Sequence, residues 1–141
     1  MSIRAAIGYR WDGRRSRLFC QTREGSYNTE SLIAFLNDLK RHLRRHKAIL
    51  VWDGLPAHKS RAMQEYLQQQ RDWLTVVTLP GYAPDLNPIE TRWGNIKGKE
   101  LANRCAQDLA ELDTAVQGGM SRVKKSRTLP FSFLKHAGLS L

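Results

Sequence analysis

Cysteine is scarce in this sequence: Cys20 and Cys105 are the only two in 141 residues. They have neither C-x-x-C spacing nor neighbouring histidines, so a disulfide scaffold is excluded and both are expected as buried or idle thiols without zinc. No apolar stretch approaches the roughly 18 residues that a bilayer span needs, and the opening MSIRAAIGYRWDGRR lacks the apolar core of a signal peptide. A cytoplasmic protein with no membrane partner is expected. Internal repeats, low-complexity tracts and linkers are also missing. With 41% hydrophobic and 26% charged residues the chain is neither disordered nor collagenous, and its length suits one compact domain.

Acidic residues are the scarcer charged class, 13 Asp+Glu against 23 Lys+Arg, which leaves a formal charge of +10. The excess is uneven. Residues 1–47 carry 11 basic and 4 acidic side chains, residues 48–90 carry 3 and 5, and residues 91–141 carry 9 and 4. Two basic flanks thus bracket an acidic middle. Such a surface attracts polyanions through counterion release, whereas a local cluster of carboxylates needs cations of its own to sit near DNA. The simpler alternative is a solvated surface with no partner.

Residues 3–9 and 17–21 read as strands about Asp12-Gly13, the signature of a β-hairpin. Asn28 or Thr29 can cap a helix that buries Leu32, Phe35, Leu36, Leu39 and Leu43 at helical spacing. Its basic end, 40–47, suits the negative pole of the helix dipole as well as it suits phosphate. Ala48-Ile49-Leu50-Val51-Trp52 is apolar on consecutive residues, which fits a strand covered on both faces. Residues 53–58 read as a loop, Met63, Tyr66 and Leu67 mark a second helix, and residues 73–79 form another interior strand. The prolines and glycine of 80–85 prevent regular structure. Asn87-Pro88-Ile89-Glu90 has the form of a helix start, continuing to about Ala102. A last helix is expected over about 106–124, weakened by Gly118-Gly119, and the apolar tail from Pro130 is expected to dock. The order β-β-α-β-α-β-α-α is that of one α/β domain with helices over a mixed sheet.

Asp53 falls where an interior strand meets a loop, the edge at which α/β sheets present ligand-binding groups. A charged group there must be solvated, paired or bound to metal; its plainest role is to cap the turn ahead of Gly54. Glu90 can likewise serve only the helix start, bonding back to the cap. Their conjunction with the irregular segment 79–90 suggests more, since that segment can lay the helix of Glu90 near the end of the Asp53 strand, where two carboxylates can share divalent ions.

At this point the sequence resembles the DDE-type transposases of bacterial insertion sequences, mariner-like group. Trp52-Asp53-Gly54-Leu55-Pro56-Ala57-His58 is similar to the second-aspartate motif of that family, and Leu79 through Trp93 to its third-acid motif, ending N-P-I-E-x-x-W. Residues 97–103 and 132–141 are similar to one branch of these enzymes. The resemblance covers nearly the whole chain and implies an RNase H-like fold, in which three acids hold two Mg²⁺ or Mn²⁺ ions for in-line phosphoryl transfer on DNA. Asp53 matches the second acid and Glu90 the third, 37 positions apart. It also implies a bacterial, nucleoid-associated location and a homo-oligomer.

The first acid and its central strand have no counterpart here, because only Met1-Ser2 precede the hairpin and Asp12 lies in the hairpin turn. The expectation is therefore a partial catalytic domain over 1–141 with an incomplete sheet, inactive alone, and without the family's helix-turn-helix. Such a piece can be a gene remnant, the result of a misassigned start, or the downstream product of a split reading frame that needs an upstream transposase fragment as partner; the alternative function is a non-catalytic DNA-binding or dimerising fragment that regulates a full-length transposase. A small nuclease using Asp85 as a substitute ligand is a weaker third reading. His58 is expected near the site or in a helix-entry hydrogen bond, and Trp93 as core or as a wall supporting the site. Lys97 and Lys99 are expected on DNA backbone or simply in solvent.

Overall fold

In a computed structural model of the chain, residues 2–44, 46–81, 83–100 and 109–139 are described. By their internal contacts they divide into two compact units, Met1–Arg4 with Gln21–Pro84, and Ala5–Cys20 with Asp85–Leu141. The expected mixed α/β composition is present in both. The strands form two separate two-stranded sheets among the described residues. One is the hairpin of β1 (Ser2–Tyr9) and β2 (Ser16–Arg23); the other pairs β3 (Ala48–Trp52) with β4 (Leu74–Thr78) in parallel.

The first unit is built on α1 (Thr29–His42), which begins with a capping box: the Ser31 amide donates to the Asn28 side chain and the Asn28 amide donates to the Ser31 hydroxyl, both at 2.9 Å. Leu32, Phe35, Leu36 and Leu39 form its buried stripe. Against it pack α2 (Pro56–Lys59) and α3 (Arg61–Gln69), the latter through fully buried Met63. Polar ties fix the contact: Thr29 donates to Ser60 at 3.0 Å and Tyr66 to Asn37 at 2.9 Å. Gln70, at the end of α3, accepts from both Lys40 and the Trp73 indole, leading the chain into β4.

Two expectations change here. The segment 53–58 is not wholly loop, because Pro56 occupies the first position of α2, where its fixed φ and missing N–H cost nothing. More consequentially, β3 is not covered on both faces. Ile49 is 72% exposed, Val51 48%, and Val77, which pairs with Val51, 48%. Alternation decides this outcome: Trp52 and Leu74 turn to the helices, so odd-numbered residues turn to the other face, and no described element covers it.

In the second unit, Tyr9 donates from its hydroxyl to the Pro130 carbonyl at 2.7 Å and its ring meets Phe131 at 5.7 Å. The turn of the hairpin spans 10–15, closed by Arg10 N–H to Arg15 O at 2.8 Å, with Asp12 accepting from the Arg14 amide. Asp12 is a turn residue, as expected. The helices are α4 (Pro88–Lys99), α5 (Leu109–Lys125) and α6 (Leu129–His136), with Ile96, Val116, Met120, Val123, Phe133 and Leu134 buried. The apolar tail thus docks as a helix. The expected continuation of α4 to Ala102, the start of the last helix at 106–108 and Cys105 lie outside the described residues.

The two adjacent glycines of α5 do opposite work. A Cβ on Gly119 meets Ile96 Cγ2 at 3.0 Å and the Glu100 carboxylate at 3.1 Å, whereas a Cβ on Gly118 meets nothing within 4 Å. That close approach lets Arg122 grip Glu100 through Nε (2.6 Å) and Nη2 (3.0 Å) while Nη2 also donates to Asn95. Gly118→Ala should therefore stabilise by about 0.5–1 kcal/mol through helix propensity. Gly119→Ala should destabilise by about 1–2 kcal/mol through overpacking. Urea unfolding of the two variants checks the pair; equal signs would refute the packing argument.

Candidate functional site

Asp53 follows the last residue of β3, at the carboxyl edge of the parallel pair β3–β4. Its side chain is 50% exposed and meets no lysine or arginine among the described residues. One imidazole holds it. His58 Nδ1 donates to the Asp53 carbonyl at 2.7 Å and approaches Asp53 Oδ1 at 3.0 Å, while the ring stacks on Trp52 at 4.1 Å and 6°. Donation to a carbonyl fixes the proton on Nδ1. The expected helix-entry role of His58 is thus carried out on Asp53 itself: backbone and carboxylate are pinned by one N–H, and Trp52 fixes the ring's plane.

Glu90 stands in the first turn of α4. The Ile89 amide donates to Asn87 Oδ1 at 3.2 Å, so the cap is made without the glutamate. Glu90 is exposed and forms no reciprocal cap and no ion pair among the described residues. Glu90 is therefore not occupied by the helix cap, whereas Asp53 Oδ1 does cap the turn around Gly54, accepting from the Leu55 amide at a long 3.5 Å. Asp53 belongs to the first unit and Glu90 to the second. Asp85, in the 3₁₀ turn Pro84–Leu86, is exposed. Among the described residues, no group of three His, Cys, Asp or Glu side chains is gathered to hold a metal.

Trp93 is half-buried, and the buried residue beside it is Arg92, which is 0% exposed. Trp93 is thus not itself fully buried; the fully buried side chain is its neighbour Arg92. Arg92 and Ile96, one turn apart, form the inward face of α4, and Trp93 serves as a platform under the Arg92 guanidinium at 3.7 Å. Arg92 Nη1 donates to Met120 Sδ at 2.8 Å, while Nε and Nη2 have no partner among the described residues. Burial pushes this guanidinium down to about 10, against the upward pull of Cys20 and Glu90.

Lys97 and Lys99 are exposed on α4. At about 100° per residue, Lys97 lies on the face of Glu90, about 10 Å along the helix, and Lys99 on the opposite face. Of the two lysines, Lys97 shares the side of the helix on which Glu90 stands. Sequence reasoning passed over Lys59, whose ammonium lies 3.0 Å from the place a Cβ on Gly54 would take. The signal was Gly54 itself, directly after Asp53.

A family model of the DDE superfamily endonucleases matches residues 11–113, a span that includes Asp53 and Glu90. The chain belongs to this family. The fold of this DDE endonuclease chain is similar to that of the Mos1 transposase catalytic domain solved with Raltegravir and Mn: TM-score 0.59, 20% identity, covering 89% of this chain and 68% of that one. The catalytic domain of Mos1 mariner transposase gives 0.59 at 18% identity over 89% and 67%. The Mos1 paired-end complex with the left transposon end gives 0.57 at 18% over 95% of this chain and 42% of that one. These likenesses establish the RNase H-like fold of transposase catalytic domains. Comparison with curated proteins gives no match. Among the described residues no helix is long and apolar enough to cross a membrane.

Proposed function

We propose that the chain is a segment of a transposase catalytic domain that supplies two acidic ligands, Asp53 and Glu90, for divalent-metal-dependent cleavage and joining of DNA. The observation that carries this reading is that both motif carboxylates are accessible and unpaired with lysine or arginine, one of them clamped in orientation by His58. Hard oxygen donors of this kind suit Mg²⁺ or Mn²⁺, which bind few protein carboxylates and keep open positions for water and phosphate. Bound metal would supply charge stabilisation to the phosphoryl transfer. The chain's own residues bind and orient: His58 holds Asp53, Asn87 caps the helix so that Glu90 stays free, and Lys97 lies in line with Glu90 for a phosphate. The metal seen with a related catalytic domain, and the transposon end in a related complex, support metal and DNA as ligands here.

A third acid completes the set in this reading, supplied by an upstream strand. The test is nicking of supercoiled DNA with Mg²⁺ or Mn²⁺, comparing the 141-residue chain with the same chain given an upstream segment that bears an acidic β-strand. Metal-dependent nicking only in the second case is expected. Nicking by neither would overturn the assignment, and nicking by the 141-residue chain alone would overturn its need for a third acid.

A second reading, a non-catalytic fragment that joins another transposase chain, is favoured by the exposed apolar face of Ile49, Val51 and Val77. It predicts inhibition of a full-length transposase that survives Asp53→Ala and Glu90→Ala but is lost in Ile49→Lys.

A further inference from the structure

The acidic middle of the chain, residues 48–90, has three basic side chains, Lys59, Arg61 and Arg71. Arg61 is paired with Glu65 on its own helix at 3.0 Å. The other two line one cleft of about 510 Å³ within the first unit, and neither is paired with a carboxylate among the described residues. Trp52 and Leu74 form part of the cleft's floor; Gln64 and Gln68 stand one turn apart on its α3 side. Among the described residues no carboxylate lines it.

Lys59, one of the lining residues, lies against Gly54. A Cβ there would lie 3.0 Å from Lys59 Nζ and 3.1 Å from Cε, with Thr78 Cγ2 at 3.8 Å. The missing side chain lets the ammonium settle on the backbone at the end of β3, one residue from Asp53. Lys59 precedes α3 and Arg71 follows it, and the nine residues of that helix span about 13 Å. That length exceeds the reach of a single phosphate and equals roughly four nucleotides at about 3.4 Å each. The glutamines between the two cations offer neutral donors suited to phosphate and sugar oxygens.

We propose that this cleft is a track for the sugar–phosphate backbone of a DNA strand, with Lys59, beside Gly54, and Arg71 gripping separate phosphates a few nucleotides apart as the strand passes Asp53. The assignment rests on the reading of the chain as DNA-processing, and it adds residues that the acid motifs do not include. It is tested with the intact 141-residue chain and a fluorescein-labelled DNA duplex, by anisotropy across a range of salt. Lys59→Ala and Arg71→Ala should each weaken binding about three- to tenfold and lower the slope of log affinity against log salt by about one. Arg61→Ala, whose cation is already paired, should change affinity less than about twofold. Gly54→Ala should reproduce part of the Lys59→Ala loss with unchanged thermal unfolding, since only the tip of a flexible side chain has to move. Binding that is the same in the Lys59→Ala/Arg71→Ala double variant, or an equal loss in Arg61→Ala, would overturn the cleft while leaving the DNA-processing reading intact. An intact chain that binds no DNA would overturn both.

Discussion

Glu90→Ala should lower metal-dependent DNA cleavage by roughly a thousandfold or more in any assembly where this chain provides the carboxylates, and Asp53→Ala should do the same. Three decades of rate correspond to about 4 kcal/mol of transition-state stabilisation, within what a correctly held divalent ion supplies to phosphoryl transfer. The structural duties of the two carboxylates are slight: Glu90 makes no cap, and Asp53 accepts one long bond, 3.5 Å, from the Leu55 amide. The α4 cap is made by Asn87 to the Ile89 amide, so removing Glu90 leaves the helix start intact. Removing the Asp53 carboxylate leaves the stronger of the two His58 contacts, which goes to the backbone carbonyl. Both variants should therefore unfold within about 0.5 kcal/mol of the parent chain.

Independent support comes from Mn²⁺ binding followed by electron paramagnetic resonance, where each substitution should weaken affinity even without DNA. Cleavage that survives Glu90→Ala, with Mn²⁺ affinity unchanged, would remove Glu90 from the site. His58→Ala separates holding from ligation. It keeps the Asp53 carboxylate and loses its clamp, so activity should fall less than in Asp53→Ala and recover in part at higher Mn²⁺.

Local chemistry made much of this fold legible. Asn28 with Ser31, and Asn87 ahead of Pro88, are helix starts whose partners are all within three residues, and both are where the sequence puts them. The parallel strands follow from compact apolar runs between helices. Tertiary neighbours decide what was not legible. An unbroken run such as Ala48–Trp52 signals burial on two faces, yet only the face bearing Trp52 finds helices to cover it. Charge in a helix signals solvent, yet Arg92 is the buried residue and the adjacent tryptophan is its platform. At the site, the motif spacing identifies Asp53 and Glu90 but not what touches them. The roles of His58 on Asp53 and of Gly54 under Lys59 depend on how the chain turns after β3, and Pro56 at the start of α2 is the one readable cause of that turn.

Arg92→Met should stabilise the chain by on the order of 2–3 kcal/mol at neutral pH, a gain that is unusual for a substitution at a fully buried position. The guanidinium is 0% exposed, has only a thioether acceptor at Nη1, and leaves Nε and Nη2 without partners among the described residues. Replacing a buried charge by an apolar chain of similar length removes that desolvation cost and strands no opposite charge, the condition under which such replacements stabilise by about 1–4 kcal/mol. The lost contact with Trp93 offsets about 1 kcal/mol of it. The pH dependence has a definite sign. Burial lowers the Arg92 pKa to about 10, so its penalty is fully present below that value and fades as pH rises above it. Burial raises the Tyr9 hydroxyl to about 12 from 10.0, so its stabilisation is complete below pH 10 and is lost toward pH 12. In the parent chain these two terms oppose each other above pH 10; in Arg92→Met only the tyrosine loss remains. The variant's advantage in urea unfolding should therefore be constant from pH 7 to 9 and shrink above 10. A destabilised Arg92→Met at pH 7 would show instead that the guanidinium has an anionic or water partner that makes its burial favourable.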